Sequence, residues 1–185
     1  MIQYTIAQTL DDLQQIQHLQ KANLSNNIDT STRQNEGFVT VEHSVELLEE
    51  MNAPYPHVIA KHGDQVVGYT LVMLRSMSDK IPILFDMFEQ INNLTYKGQN
   101  LGESNYFIMG QVCIDKAYRR MGIFKKLYSH LSKQMSKHFD FIVTEVALSN
   151  KRSLDAHKSI GFEVINTHTG ISGEQWVMII LTLNK

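Results

Sequence analysis

The stretch Val112-Cys113-Ile114-Asp115-Lys116-Ala117-Tyr118-Arg119-Arg120-Met121-Gly122-Ile123-Phe124-Lys125-Lys126-Leu127 decides how this chain is read. An apolar run, Phe107 to Ile114, ends in a basic turn, and Ile123, Leu127, Leu131 and Met135 then recur every fourth position, the period of an amphipathic helix. A strand therefore feeds a helix through a turn that closes on Gly122. The first amides of a helix lack intrahelical acceptors and sit at the positive end of its dipole, so this turn is suited to a phosphate group. Gly122 has no Cβ and lets the backbone approach a ligand; on the plainer reading it only tightens the turn and the arginines are solvated. The spacing is neither Gly-x-x-x-x-Gly-Lys-Ser/Thr nor Gly-x-Gly-x-x-Gly, which removes the main support for a nucleotide hydrolase or a dinucleotide enzyme.

Working outward, Ile2, Tyr4 and Ile6 alternate as in a half-buried strand, and Thr9 with Asp12 forms a capping pair for a helix that carries Leu10, Leu13, Ile16 and Leu19 inward. Residues 25 to 37 are polar and aperiodic, after which Ser44 caps a short helix bearing Leu47, Leu48 and Met51. His57 to Lys61 and Gln65 to Leu74 read as a hairpin across His62-Gly63-Asp64. Leu84, Met87, Phe88 and Ile91 then mark an inserted helix, followed by a loop with Gly98 and Gly102. Beyond the central helix come a strand from Phe141 to Leu148, a helix capped by Ser149 or Asn150 and ending at Gly161, and strands near 162 to 169 and 175 to 183. Strands that first meander and then alternate with helices predict one α/β domain over 1–185, a mixed sheet covered by helices.

Composition narrows the function classes. The 185 residues are 43% hydrophobic and 19% charged, enough to build a core, and 17 basic against 19 acidic residues leave a net charge of −2 with no general field for nucleic acid. The single cysteine, Cys113, rules out an internal disulfide framework and multi-cysteine zinc sites, and eight scattered histidines form no compact metal pattern. No apolar run nears the ~20 residues of a membrane span, and the first residues lack the pattern of a signal peptide, so a cytoplasmic protein without a metal, nucleic-acid or membrane partner is expected.

Arg119-Arg120-Met121-Gly122-Ile123-Phe124 resembles the Gln/Arg-x-x-Gly-x-Gly/Ala pyrophosphate loop of the GCN5-related N-acetyltransferases, the GNAT family. Phe124 departs from it, standing where the family has a small residue. Downstream, Asn150-x-x-Ser153-x-x-x-His157-x-x-x-Gly161-Phe162 is similar to the family's Asn-x-x-Ala/Ser-x-x-x-Tyr/His-x-x-x-Gly-Phe segment, in the expected order. The resemblance implies a twisted, mostly antiparallel sheet of about seven strands, splayed between the strands near 107–114 and 141–148. It implies acetyl-CoA as cosubstrate, with the pantetheine along Val112, Cys113 and Ile114, the diphosphate on Arg119, Arg120, Met121, Gly122, Ile123, Phe124 and Lys125, and further contacts from Asn150, Ser153 and His157. It also implies a primary amine as acceptor, and is compatible with a homodimer.

Two residues are candidates for the proton traffic. His157 stands where many relatives carry the tyrosine that protonates the leaving thiolate, and an imidazole can donate near neutral pH; its alternative role is packing beside the cofactor. Along Phe141, Val143, Glu145 and Ala147 the odd phase is apolar except at Glu145, a candidate base for the acceptor ammonium or else a hydrogen-bonded structural carboxylate. Asn150 serves equally as a helix cap. A GNAT-fold acyl-CoA-binding module without turnover is the other function class, and the acceptor's identity is not written in the chain.

Overall fold

The computed structural model describes residues 1–27, 37–81, 85–170 and 173–184. Its strands are β1 (Ile2–Ile6), β2 (Val58–His62), β3 (Gln65–Met73), β4 (Thr95–Tyr96), β5 (Gln99–Asn100), β6 (Tyr106–Ile114), β7 (Phe141–Ala147), β8 (Glu163–Thr169) and β9 (Gln175–Thr182). The α-helices are α1 (Leu10–Asn23), α2 (Val45–Asn52), α3 (Phe85–Asn92), α4 (Ile123–Met135) and α5 (Lys151–Ser159). Seven strands form one sheet in the order β1-β2-β3-β6-β7-β9-β8, and β4 and β5 form a separate ribbon. Pairing is antiparallel for β1–β2, β2–β3, β7–β9 and β8–β9 and parallel for β6–β7, where Tyr106, Phe107 and Ile108 face Phe141, Ile142 and Val143. The chain divides into two compact units, one of residues 1–72 and 109–134, the other of 73–108 and 135–185.

In the first unit, α1 starts with a reciprocal capping box: the Asp12 amide donates to Thr9 Oγ1 and the Thr9 amide to Asp12 Oδ2. The other Asp12 oxygen receives Lys61 Nζ at 2.6 Å, fastening the helix start to β2. Leu13, Ile16 and Leu19 are buried, but Leu10 is 55% exposed, contrary to its expected inward position. It is the first helical residue, and the buried stripe begins one turn later. His57 is fully enclosed, accepting from the Val72 amide at Nδ1 and donating from Nε2 to the Leu48 carbonyl, so it links α2, β2 and β3 as a neutral ring. Gln20 holds buried His43 from both sides, through its side-chain amide to Nδ1 and its carbonyl to the His43 amide.

In the second unit, the inserted helix is α3, with Met87, Phe88 and Ile91 buried; Leu84 lies outside the described residues, as do 28–36 of the polar stretch. The expected Gly98 loop is a ribbon instead. Lys97 and Gly98 take φ of +50° and +81°, the paired left-handed geometry of a type I′ hairpin turn. Tyr96 lies edge-on to Phe141 and donates to Glu163, fixing the ribbon to this unit's sheet. β7 ends at Ala147, one residue short of expectation, and Leu148 is exposed.

Burial holds His43 at about 4, His57 at about 3 and His157 at about 4, below the ordinary 6.5. The unfolded chain therefore binds more protons than the folded one between these values, so this stabilisation is whole above about 6.5 and is lost as pH falls toward 4. Urea midpoints measured in half-unit steps should change little above about pH 7.5, begin to fall as the unfolded rings start to charge on the way to 6.5, and decline steadily below that; a level midpoint down to pH 4.5 would show that the three rings do not have to charge on unfolding.

Candidate active site

The first unit carries the turn between β6 and α4. Asp115 begins it: its side chain accepts from the Ala117 amide at 2.8 Å and its own amide donates to the Val67 carbonyl. A short 3-10 turn follows over Lys116–Tyr118. Arg120 and Gly122 then take φ of +66° and +76°, two left-handed residues around exposed Met121, and α4 starts at Ile123. A Cβ on Gly122 would meet nothing within 4 Å, so its surroundings are open and its conformation is what favours glycine. Arg120 and Lys125 are exposed, Ile123 is buried, and the ring of half-buried Phe124 tilts against Tyr128 with centroids 5.0 Å apart.

Arg119, expected beside a diphosphate, holds the turn itself. Its Nε donates to the Ile114 carbonyl and its terminal nitrogen to Asn23 Oδ1 at 2.7 Å. On β6, Val112 and Ile114 are half-buried while Cys113 is buried and its thiol is pushed up to about 12, chiefly by burial. Cys113 is thus an unreactive thiol at neutral pH. Gly68 on β3 faces this segment closely: a Cβ there would stand 3.3 Å from the Cys113 carbonyl oxygen and 3.4 Å from Ile123.

The second unit carries the downstream motif. Buried Asn150 caps α5, its side chain accepting from the Ser153 amide at 3.3 Å. His157 lies one turn further on, 1% exposed, with its ring edge-on to Phe162. Its Nδ1 is 2.7 Å from the Ser153 carbonyl, an acceptor, so the ring's proton sits on Nδ1. Burial lowers its pKa to about 4, so it is neutral at neutral pH.

Glu145 lies on the same unit's β7 with its carboxyl oxygen 2.6 Å from Nε2 of His168 on β8, each side chain 11% exposed. Burial raises the Glu145 pKa, His168 draws it back, and Asp86 in the first turn of α3 raises it further. Register puts the pair together. Glu145 is opposite Met178, and His168 is opposite Trp176, two residues along the same strand β9. Directly opposed residues share a face, as do positions two apart, so all four side chains share one face of the sheet. Asn166, opposite Met178 on β8, also belongs to that face and donates to Gln90, one turn after Asp86 on α3. Sequence reasoning located Glu145 but missed His168 and Asp86; β8 has an irregularity between Val164 and Asn166 that breaks the alternation by which His168 would have been read.

Among the described residues, no group of three or more His, Cys, Asp or Glu is placed to hold a metal ion, and no helix is long and apolar enough to cross a membrane. No curated protein matches the sequence. Among solved structures, the fold is similar to the ribosomal-protein-S18-alanine N-acetyltransferase of Escherichia coli, at TM-score 0.65 and 13% identity over 100% of this chain and 96% of that one. It is also similar to yncA of Salmonella typhimurium, a putative acetyltransferase solved with its cofactor acetyl-CoA, at TM-score 0.65 and 16% identity over 100% and 95%. The N-acetyltransferase of Staphylococcus aureus Mu50 aligns at TM-score 0.64 and 14% identity over 100% and 99%. With a seven-stranded, mostly antiparallel sheet, a glycine turn leading into α4, and the model of the acetyltransferase (GNAT) family matching residues 24–162, the chain belongs to that family.

Proposed function

We propose that this chain is an N-acetyltransferase that transfers the acetyl group of acetyl-CoA directly to a primary amine. The observation that carries the reading is the turn before α4, where left-handed Arg120 and Gly122 lead into the helix and leave an open, positively charged approach to its first amides. Amides fixed in place by the fold bind an anion without having to be ordered first, and Arg120 and Lys125 add charge from the rim. The acetyl-CoA found with the Salmonella relative is the ligand whose diphosphate this turn would receive. Val112, Cys113 and Ile114 would contribute backbone to the pantetheine arm, with Met121, Ile123 and Phe124 completing the loop; Asn150, Ser153 and His157 form the second motif.

In the reaction the acceptor ammonium first loses a proton, for which Glu145 is the candidate acceptor. The neutral nitrogen then attacks the thioester carbonyl, backbone N–H groups of β6 stabilise the developing oxyanion, and the C–N bond forms as the C–S bond breaks, with the nitrogen's second proton passing to solvent. Our assignment for His157 is anchoring rather than acid catalysis, because its ring is neutral and its one proton is directed at the Ser153 carbonyl. A thiolate with a reference pKa near ~8.5 is a competent leaving group that can take its proton from solvent.

Incubation with acetyl-CoA and a panel of primary amines, followed by mass spectrometry, should yield free CoA and acetylated amine in equal amounts. Tight acetyl-CoA binding with no product from any amine would instead identify a binding module. The loop is tested by calorimetry on Gly122→Asn and Gly122→Asp, which share the left-handed backbone requirement and differ in charge. The aspartate variant should bind acetyl-CoA at least about tenfold more weakly than the asparagine variant, a difference of about 1.4 kcal/mol; equal affinities would remove the diphosphate from this turn. His157→Phe, compared at equal folded fraction, should lower thermal stability while keeping the alkaline limb of the rate profile, and loss of that limb would restore the acid role.

A further inference from the structure

Unit two holds a carboxylate and an imidazole in a contact that the two family motifs do not contain. His168 Nε2 meets Glu145 Oε1 at 2.6 Å, and His168 Nδ1 is shielded from solvent with no hydrogen-bond partner among the described residues. This asymmetry assigns the protons. If Glu145 were protonated and donated to Nε2, or if the ring were an imidazolium, Nδ1 would carry a buried N–H with no acceptor, which folded proteins rarely tolerate. With Glu145 ionised and the ring neutral, Nε2–H donates to the carboxylate and Nδ1 is a bare lone pair, the less costly orphan. The pair then has a net charge of −1. The charged group acting on it from α3 is Asp86, also acidic, while β9 presents Met178 and Trp176.

We propose that His168 is a positioning residue of the acetyl transfer: by donating Nε2–H to Glu145 it keeps that carboxylate ionised and aimed, so that the β7–β8 pair accepts the proton of an acceptor that arrives as a cationic primary ammonium. The proposal rests on the N-acetyltransferase reading. Two N–H bonds of the ammonium break: the first proton passes to Glu145 and frees the lone pair that makes the C–N bond, the second leaves the nitrogen to solvent as the C–S bond breaks, and the departing thiolate takes a proton from solvent. His168 supplies orientation and a fixed hydrogen bond. Asp86 repels anionic acceptors from the same place and disfavours carboxylates next to the reacting nitrogen.

Two measurements test this. In the first, the pH profile of kcat/KM with the best amine of the panel is compared for wild type, His168→Gln, His168→Phe and Glu145→Gln, with acetyl-CoA affinity followed by calorimetry. A glutamine amide can still donate to Glu145, so His168→Gln should stay within about threefold of wild type. His168→Phe cannot donate; it should lose at least about tenfold and move the acid limb to higher pH, because Glu145 is harder to ionise without its donor, while acetyl-CoA affinity is unchanged. Glu145→Gln should abolish that limb. Wild-type behaviour in His168→Phe, or equal loss in folded His168→Gln and His168→Phe, would overturn the positioning role while leaving N-acetyl transfer intact. Absence of turnover in the wild type would overturn both. The second measurement needs no turnover: 15N spectra of the imidazoles at pH 7 should show His168 protonated at Nε2 and bare at Nδ1, and a proton on Nδ1 would overturn the assignment.

Discussion

The chain must pass from the end of β6 into α4 in eight residues, from Asp115 to Gly122, and this constraint shapes the first unit. The connection passes through left-handed backbone twice, and Arg120 adopts it at φ +66° although an L side chain there costs roughly 1–2 kcal/mol. The surroundings fix the conformation from several sides. Asp115 caps the 3-10 turn, the Tyr118 amide returns to the Asp115 carbonyl, and the Arg119 guanidinium ties Ile114 to Asn23 at the end of α1. Arg119 is therefore a strut of the turn, and the exposed charges around it include Arg120 and Lys125. The same fixing that costs backbone strain makes the first amides of α4 rigid, which is what a bound anion exploits.

Much of this was legible in the sequence because the signals are local. A glycine before a four-residue apolar period gives the turn and α4, Thr9 with Asp12 gives the start of α1, and Asn150 with Ser153 gives the start of α5. Where reading failed, the deciding interaction lies far along the chain. Tyr96-Lys97-Gly98-Gln99 shows no apolar alternation of its own, and its ribbon is fixed by Glu163 and Phe141. Arg119 is a different case: its place in the family motif is local, whereas the contact of its side chain with Asn23, 96 residues away, is not written in the sequence.

His168 was hidden for a topological reason. Between Val164 and Asn166 the pairing with β9 slips by one residue, so that Val164 faces Ile179 while Asn166 faces Met178. Without the extra residue, position 168 would lie opposite 175 and its side chain would point to the other face. One inserted residue at Ile165 thus rotates the end of β8 until His168 and Asn166 join the face that holds Glu145. The same face receives α3 through Gln90 and the charge of Asp86, so the insertion between β3 and β6 and the irregularity in β8 act on one place.

Buried His157 and half-buried His168 show why residue type alone does not define a role. His157 meets a backbone carbonyl, which carries no net charge; burial wins, the ring stays neutral near and above pH 6, and its proton is held where it fastens α5 to itself. His168 meets a carboxylate, and the contact works in the opposite direction: the ring's N–H favours the ionised form of Glu145 against the burial and the Asp86 charge that oppose it. A neutral imidazole can stabilise a buried anion without discharging it, whereas a lysine or arginine at the same position would cancel the negative charge and with it the attraction for an ammonium. On the proposed acetyl-transfer reading, an amine acceptor would bring its own positive charge, and a carboxylate that is hydrogen-bonded but not neutralised would be ready to meet it.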